Sequence, residues 1–333
     1  MFKVAVVGSG YIAQNHLAAL KKIEDAQLVA IIGRNAEKGE KVAQENGARF
    51  FKSLEEAKRE TDMDVVIICT PTDLHEQFVK EAAALKCHVL CEKPITFTVE
   101  SFDRMVEACR ENGVRFMVAQ VARWWPEFIT IRKDYLETGK LGKLHMIYEK
   151  RICQHPTWTT WHRDPKKSGG GLYDLNIHDI DYLYSIFGKP ETVYATGWKS
   201  STGCWNHVCT SLSWESGVKA VVETSLEMTG NWPFSIEFRA TGDAGTIDYA
   251  LTAGLNINDG ERGSNLNWYP AGDEKIYPIE VEQTDMFEGE IREFLSAIRE
   301  NRPASVTLEQ NRGVLEVVQA TIRSLEENTV VRL

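Results

Sequence analysis

The sequence predicts an α/β chain in two parts: a doubly wound parallel sheet, followed by an α+β domain built on a large, open, mainly antiparallel sheet. Over residues 1–120, short apolar runs rich in β-branched residues alternate with amphipathic helical patterns. From about Thr192 to Ile279, polar and apolar residues alternate with a period of two. A length of 333 residues suits two domains of roughly 150 residues, each long enough to bury its own core.

The apolar runs Phe2–Val7, Leu28–Ile32, Val65–Cys69, His88–Cys91 and Phe116–Val118 are expected strands. They are short and apolar at nearly every position, as strands covered on both faces must be. The helical patterns Ala13–Leu20, Glu37–Asn46, Asp73–Leu85 and Val99–Asn112 separate them. Right-handed crossovers then place helices on both faces of one parallel sheet. After Gln120 the pattern switches without a linker, so domains of 1–120 and 121–333 are expected, tightly apposed across a cleft. A helix over about Glu127–Glu137 stops at Gly139, and a strand follows at Leu144–Ile152. A Trp-rich loop and Gly169-Gly170-Gly171 lead into a helix over about Tyr173–Phe187, ended by Gly188-Lys189-Pro190. Within Val218–Met228, Val218, Ala220, Val222, Thr224 and Leu226 share one face, opposite Lys219, Glu223, Ser225 and Glu227. Val208, Thr210, Leu212 and Trp214 repeat the pattern. A sheet with one polar face stays open to solvent or packs on a partner subunit. Helices over Gln283–Glu300 and Leu308–Glu326, then Val330-Val331, close the chain.

Composition narrows the function. The formal net charge of −10 and the absence of any Lys/Arg-rich run argue against a nucleic-acid partner. The longest uninterrupted apolar stretch, Val65–Cys69, falls far short of the ~20 residues of a spanning helix, so no membrane role is expected. The opening MFKVAVVGSGYIA reaches glycine by residue 8, where an export signal would stay apolar. Seven cysteines, an odd number without a CxxC pair, fit free thiols in a reducing cytoplasm. Cys87 and Cys91 have metal-ligand spacing but no second pair, and read as small apolar residues beside a strand.

Gly8-Ser9-Gly10-Tyr11-Ile12-Ala13 is a GxGxxA loop between a strand and a helix. The first glycine makes the turn, the second admits a pyrophosphate to backbone N–H groups, and the small Ala13 lets helix and strand pack closely. At the end of the next strand, where an acid would hold the ribose of NAD, the chain reads Ile32-Gly33-Arg34-Asn35. Gly33 leaves room for a 2′-phosphate and Arg34 can pair with it, so NADP(H) is favoured over NAD(H). Arg34 stacked on adenine would serve either cofactor. Thr70, Pro71 and His75 follow the Val65–Cys69 run, and Glu92-Lys93-Pro94 ends the next, at the sheet edge where open α/β folds bind ligands. A lysine there can exchange protons, though position alone does not separate Lys93 from a solvated surface lysine. Asp174, His178 and Asp181 fall at i, i+4 and i+7 of one helix. A carboxylate one turn from an imidazole fixes its tautomer and makes it a general base. Asp181 offers a second acceptor; a solvated polar face is the alternative, and a metal site is the weaker one. His16, His88 and His145 show no partner pattern and read as structural.

GSGYIA at the start, TPTDLH at 70–75, CEKPIT at 91–96 and GGGLYDLNIHDID at 169–181 together resemble the Gfo/Idh/MocA family, over essentially the whole chain. The resemblance implies a Rossmann domain, then an α/β domain whose open sheet forms the oligomer interface, here of a homodimer or homotetramer. It implies that Lys93, Asp174 and His178 form the catalytic group. It also implies that Thr70, Pro71, His75 and Glu92 line the nicotinamide ribose, with Trp161 and Arg163 near the nicotinamide. Arg123, His155, Trp158 and Trp161, with the catalytic group, are the expected substrate contacts. Gly33-Arg34 departs from the acid of inositol dehydrogenases. The expected activity is NAD(P)-dependent hydride transfer to or from a secondary hydroxyl or carbonyl of a sugar, cyclic polyol or derivative. The rivals are a glycosidase that oxidises its substrate transiently and a non-catalytic nucleotide sensor.

Overall fold

The computed structural model of the chain describes residues 1–155, 161–255 and 263–333. Its first elements are β1 (Phe2–Val7), α1 (Tyr11–Leu20), β2 (Ala26–Ile32), α2 (Ala36–Glu45), β3 (Arg49–Phe51), α3 (Leu54–Glu60), β4 (Val65–Ile68), α4 (His75–Ala84), β5 (His88–Glu92), α5 (Val99–Asn112) and β6 (Phe116–Ala119). The six strands are parallel and run β3-β2-β1-β4-β5-β6. This is the doubly wound order, with its switch point between β1 and β4. Val4, Ala5 and Val6 of β1 and Val65 to Ile68 of β4 are all buried, which is why these runs carry no polar residue. Thr98 caps α5 by accepting the Ser101 N–H, and Gly113, at φ +68°, ends it. The sequence reading omitted β3 and α3. Three and seven residues are too few to display a period, although Ser53 caps α3 through the Glu56 N–H.

The later elements are α6 (Pro126–Thr130), β7 (Leu144–Ile152), α7 (Pro165–Ser168), α8 (Ile177–Phe187), β8 (Thr192–Lys199), β9 (Trp205–Ser213), β10 (Lys219–Ser225), β11 (Ser235–Gly242), β12 (Gly245–Thr252), β13 (Gly263–Pro270), β14 (Tyr277–Pro278), α9 (Met286–Arg299), α10 (Leu308–Glu327) and β15 (Val331–Arg332). Nine of these strands form one sheet, ordered β14-β13-β12-β11-β7-β10-β9-β8-β15. Only β7 and β10 pair in parallel. The expected alternation holds: Ala220, Val222 and Thr224 are buried beside Val208, Thr210 and Leu212. Against the buried face, Phe128 of α6 stacks on Tyr182 of α8 with ring centroids 4.7 Å apart. Phe128 also meets Phe238 and Tyr249 edge-on, contacts worth about 0.5–1.5 kcal/mol each beyond burial.

Two expected helices begin or end differently from the reading. α6 passes into a π-helical turn at Ile131–Leu136, and α8 is preceded by one at Leu172–Asn176.

The chain forms two structural units, Met1–Trp124 with Thr284–Arg312, and Trp125–Gln283 with Gly313–Leu333. α9 belongs to the first, where Phe287, Ile291, Phe294 and Leu295 join Ala13, Leu17 and Leu20 of α1 in one core. Burying each large apolar side chain contributes roughly 1.5–3 kcal/mol. The sequence shows α9 as an amphipathic helix but carries no sign of its partner. Among the described residues, no helix is long and apolar enough to cross a membrane.

Candidate functional site

The expected site residues form two groups, one in each unit. In the first, Gly8 closes the turn after β1 at φ +110°, and a Cβ there would lie 2.5 Å from the Cys69 carbonyl oxygen. Only glycine fits. Gly10 is different: its backbone is extended, and a Cβ would meet nothing within 4 Å. Gly10 is also the N-cap of α1, whose first turn has no acid and no side-chain cap. The N-cap residue thus brings no side chain of its own to the helix start, and the space where a Cβ would stand is open, the arrangement a pyrophosphate needs. Ala13 is fully buried, Ile12 packs on the core, and Tyr11 is exposed. These residues fit a dinucleotide.

At the end of β2, Asn35 spends its side chain capping α2 through the Lys38 N–H at 3.0 Å. Arg34 is exposed and, among the described residues, has no hydrogen-bond or ion-pair partner. Gly33 leaves this strand end without a side chain, and a Cβ there would sit 3.8 Å from the Phe50 ring.

His75 is buried, with Nε2 2.9 Å from the Thr70 carbonyl oxygen and Nδ1 3.2 Å from that of Ile95. It ties the loop after β4 to the loop after β5. Burial pushes its pKa down, opposed by the two carbonyls. Thr70 and Pro71 are half-buried, and among the described residues the Thr70 hydroxyl has no hydrogen-bond partner. Glu92 is buried at the end of β5, its Oε1 2.6 Å from His16 Nε2 and its Oε2 accepting the Lys93 N–H at 3.1 Å. Lys93 itself is half-buried. Sequence reasoning missed the His16–Glu92 pair, because 76 residues separate the partners and no local spacing marks it. Arg123, just past β6, donates from Nη1 to Gln310 Oε1 at 2.7 Å.

In the second unit two of the three glycines, Gly170 and Gly171, have a steric cause. A Cβ on Gly170 would lie 2.5 Å from that of Cys204, and one on Gly171 would lie 3.1 Å from the Asn206 carbonyl oxygen. The Gly171 N–H donates to Asn206 Oδ1 at 2.9 Å, and Asn176 Nδ2 donates to Thr224 Oγ1 at 2.9 Å. The π-helical turn is thus laid directly on β9 and β10. Asp174 lies in that turn and His178 in the first turn of α8. The i, i+4 relationship therefore crosses a change of helical pitch. Asp174 Oδ2 lies 3.7 Å from His162 Nδ1, a second imidazole that the sequence reading did not single out. His162 packs on Trp161, ring centroids 3.9 Å apart. His178 is 9% exposed and Asp181 is fully buried, which removes the solvated-face alternative for this helix. Arg163 is exposed and Trp161 half-buried. His155, just past β7, has neither ring nitrogen hydrogen-bonded among the described residues. Trp158 lies outside the described residues.

Residues 2–120 match the model of an oxidoreductase family with an NAD-binding Rossmann fold, and residues 133–333 match that family's C-terminal alpha/beta domain. The scyllo-inositol 2-dehydrogenase (NADP(+)) IolU of Bacillus subtilis is 29% identical over 340 residues, covering 98% of this chain and 96% of that protein. The 2,7-anhydro-N-acetylneuraminate hydratase of Escherichia coli is 30% identical over 264 residues, 76% of this chain and 69% of the relative. The crystal structure of an aldose-aldose oxidoreductase from Caulobacter crescentus superposes with a TM-score of 0.87 at 21% identity, covering 100% of this chain and 99% of that one. This last likeness is one of fold. With both domain models matched in order across nearly its whole length, the chain belongs to the Gfo/Idh/MocA family of NAD(P)-dependent oxidoreductases.

Proposed function

We propose that this enzyme moves hydride between a nicotinamide dinucleotide, NADP(H) in preference to NAD(H), and a secondary hydroxyl or carbonyl of a sugar, cyclic polyol or derivative. The observation that carries the reading is the open space at Gly10, the glycine that heads α1 and brings no capping side chain of its own. The family match and the inositol-dehydrogenase relative support the reaction class.

Gly8, Gly10, Tyr11 and Ile12 would hold the pyrophosphate, and Gly33 and Arg34 the 2′-phosphate. The guanidinium of Arg34, which has no partner among the described residues, supports that choice, since it has a full fork of donors to give. Thr70, Pro71, His75, Glu92, Trp161 and Arg163 would surround the nicotinamide end. When bound, the nicotinamide supplies the hydride acceptor or donor. Lys93 hydrogen-bonds the reacting oxygen and stabilises its developing charge, while His178 takes the hydroxyl proton and Asp174 orients the donors. In the reductive direction His178 or Lys93 returns the proton. Arg123, His155, Trp158 and Trp161 would contact the substrate, and the unused ring nitrogens of His155 suit a hydroxyl-rich one. The second unit, Trp125–Gln283 with Gly313–Leu333, would bind the substrate, with self-association through the open face of the nine-stranded sheet. The seven free cysteines support a reducing cytoplasm.

The second reading is a glycosidase that oxidises its substrate transiently and returns the hydride, to which the hydratase relative lends only distant support. A panel of polyols and sugars, run with NAD+ and NADP+ in parallel, tests both. Net accumulation of reduced nucleotide supports the dehydrogenase. Product without net reduction supports the second reading, and no turnover on any member sinks the proposal.

A further inference from the structure

His16 occupies an unfavourable place for a polar ring. It is fully buried in α1, and its Nδ1 has no hydrogen-bond partner among the described residues. Its ring meets Phe287 of α9 edge-on, centroids 5.2 Å apart. A leucine or phenylalanine would fill such a space without stranding a polar atom, so packing alone does not explain a histidine here. The 2.6 Å contact with Glu92 does. In the tautomer that carries its proton on Nε2, His16 donates to the carboxylate oxygen. The other carboxylate oxygen accepts the backbone N–H of Lys93.

We propose that His16 is a positioning residue for Lys93, acting through Glu92. It fixes one carboxylate oxygen so that the other holds the backbone from which Lys93 departs. His16 sits on the helix whose N-terminus is assigned to the nucleotide, so the same contact links the phosphate loop to the reacting amine. Without His16, Glu92 keeps a buried carboxylate oxygen that has lost its donor, and its side chain must rotate to find another. Lys93 then loses its anchor. The inference rests on the role given to Lys93 under the proposed function.

The test compares His16→Ala, His16→Gln, Glu92→Gln and the double variant His16→Ala/Glu92→Gln, using the substrate that turns over fastest in the panel. The glutamine amide nitrogen falls close to the imidazole Nε2 and restores a donor. His16→Ala is expected to lower kcat about tenfold or more, with KM for the nucleotide changed less than about threefold. His16→Gln recovers to within about threefold of the parent, and in the Glu92→Gln background His16→Ala costs less than about twofold more. Failure of the glutamine to rescue, or additive losses in the double variant, overturns the proposal. If His16→Ala does not fold, the Gln variants and the nitrogen-15 spectrum of His16 decide it. The Nε2 resonance moves on Glu92→Gln if the bond exists and stays put if it does not. Lys93→Met separates the two claims. Unchanged turnover there fells the role of Lys93 itself, whereas a crippled Lys93→Met beside a fully active His16→Ala fells this inference alone.

Discussion

Arg151, in β7, grips Asp179 of α8 with Nε 3.0 and 3.2 Å from its two oxygens and Nη2 2.7 Å from Oδ1. Both residues are buried. Two residues earlier on the same strand face, Glu149 is buried with neither carboxylate oxygen hydrogen-bonded among the described residues. The guanidinium is already committed to Asp179. Burial, with the Asp179 charge adding to it, pushes Glu149 well above the carboxylate range, and Arg151 opposes this. Burial therefore favours the protonated form of Glu149 in the folded protein.

A pH dependence of stability follows. As pH rises past about 4.3, the unfolded chain releases the Glu149 proton while the folded chain keeps it. The native state then binds more protons, and stability falls with rising pH up to the folded pKa. Glu149→Gln removes that slope. Thermal unfolding between pH 5 and 8 should show the variant gaining on the parent as pH rises; parallel curves would refute a neutral Glu149. Asp179→Asn, which leaves Arg151 buried and uncompensated, should cost about 3–5 kcal/mol.

Gly8 and Gly10 should respond oppositely to alanine. Gly10→Ala meets no neighbour within 4 Å and no backbone strain, so its melting temperature should hold or rise slightly, by about 0.4–1 kcal/mol in stability, while nucleotide affinity drops. Gly8→Ala should lower the melting temperature itself, because the Cβ runs into the Cys69 carbonyl at φ +110°. Melting curves and nucleotide titration of the two proteins side by side check this.

Cofactor choice should turn on Arg34. Arg34→Ala is expected to raise KM for NADP+ about tenfold, with KM for NAD+ shifted less than about threefold. Equal loss with both nucleotides would mean that the arginine stacks on adenine.

Lys93→Met should leave nucleotide affinity near the parent value and remove most turnover, roughly a hundredfold or more. Unaltered kcat would end the assignment of Lys93 to the reacting oxygen.

His162 lies beside Asp174, so the acid limb of the pH–rate profile should move when His162 is changed to Gln. A profile unmoved by His162→Gln but displaced by His178→Asn would make His178 alone the titrating base.

Much of the fold was legible because its signals are local. The apolar runs ending at Val7 and Ile32 announce strands buried on both faces, and Ala220, Val222 and Thr224 announce one buried face. The loop at Gly8 and Gly10 was legible because the demand for glycine is steric. Three features were not. β3 is too short to have a period. The π-helical turn at Leu172–Asn176 keeps the composition of an α-helix and changes only its hydrogen-bond step. His16 with Glu92, and Arg151 with Asp179, meet across 76 and 28 residues, where only the fold can join them.

The return of α9 to the first unit sets an order of events during synthesis. The apolar side chains of Leu17 and Leu20 are sealed partly by Phe287, Phe294 and Leu295. A ribosome that has finished β6 has therefore made a sheet with one flank still bare. That flank must wait through more than half of translation, exposed to aggregation or to chaperones. A fragment ending at residue 124 would carry the same bare flank permanently, whereas one that grafts Thr284–Arg312 back through a short linker should be soluble.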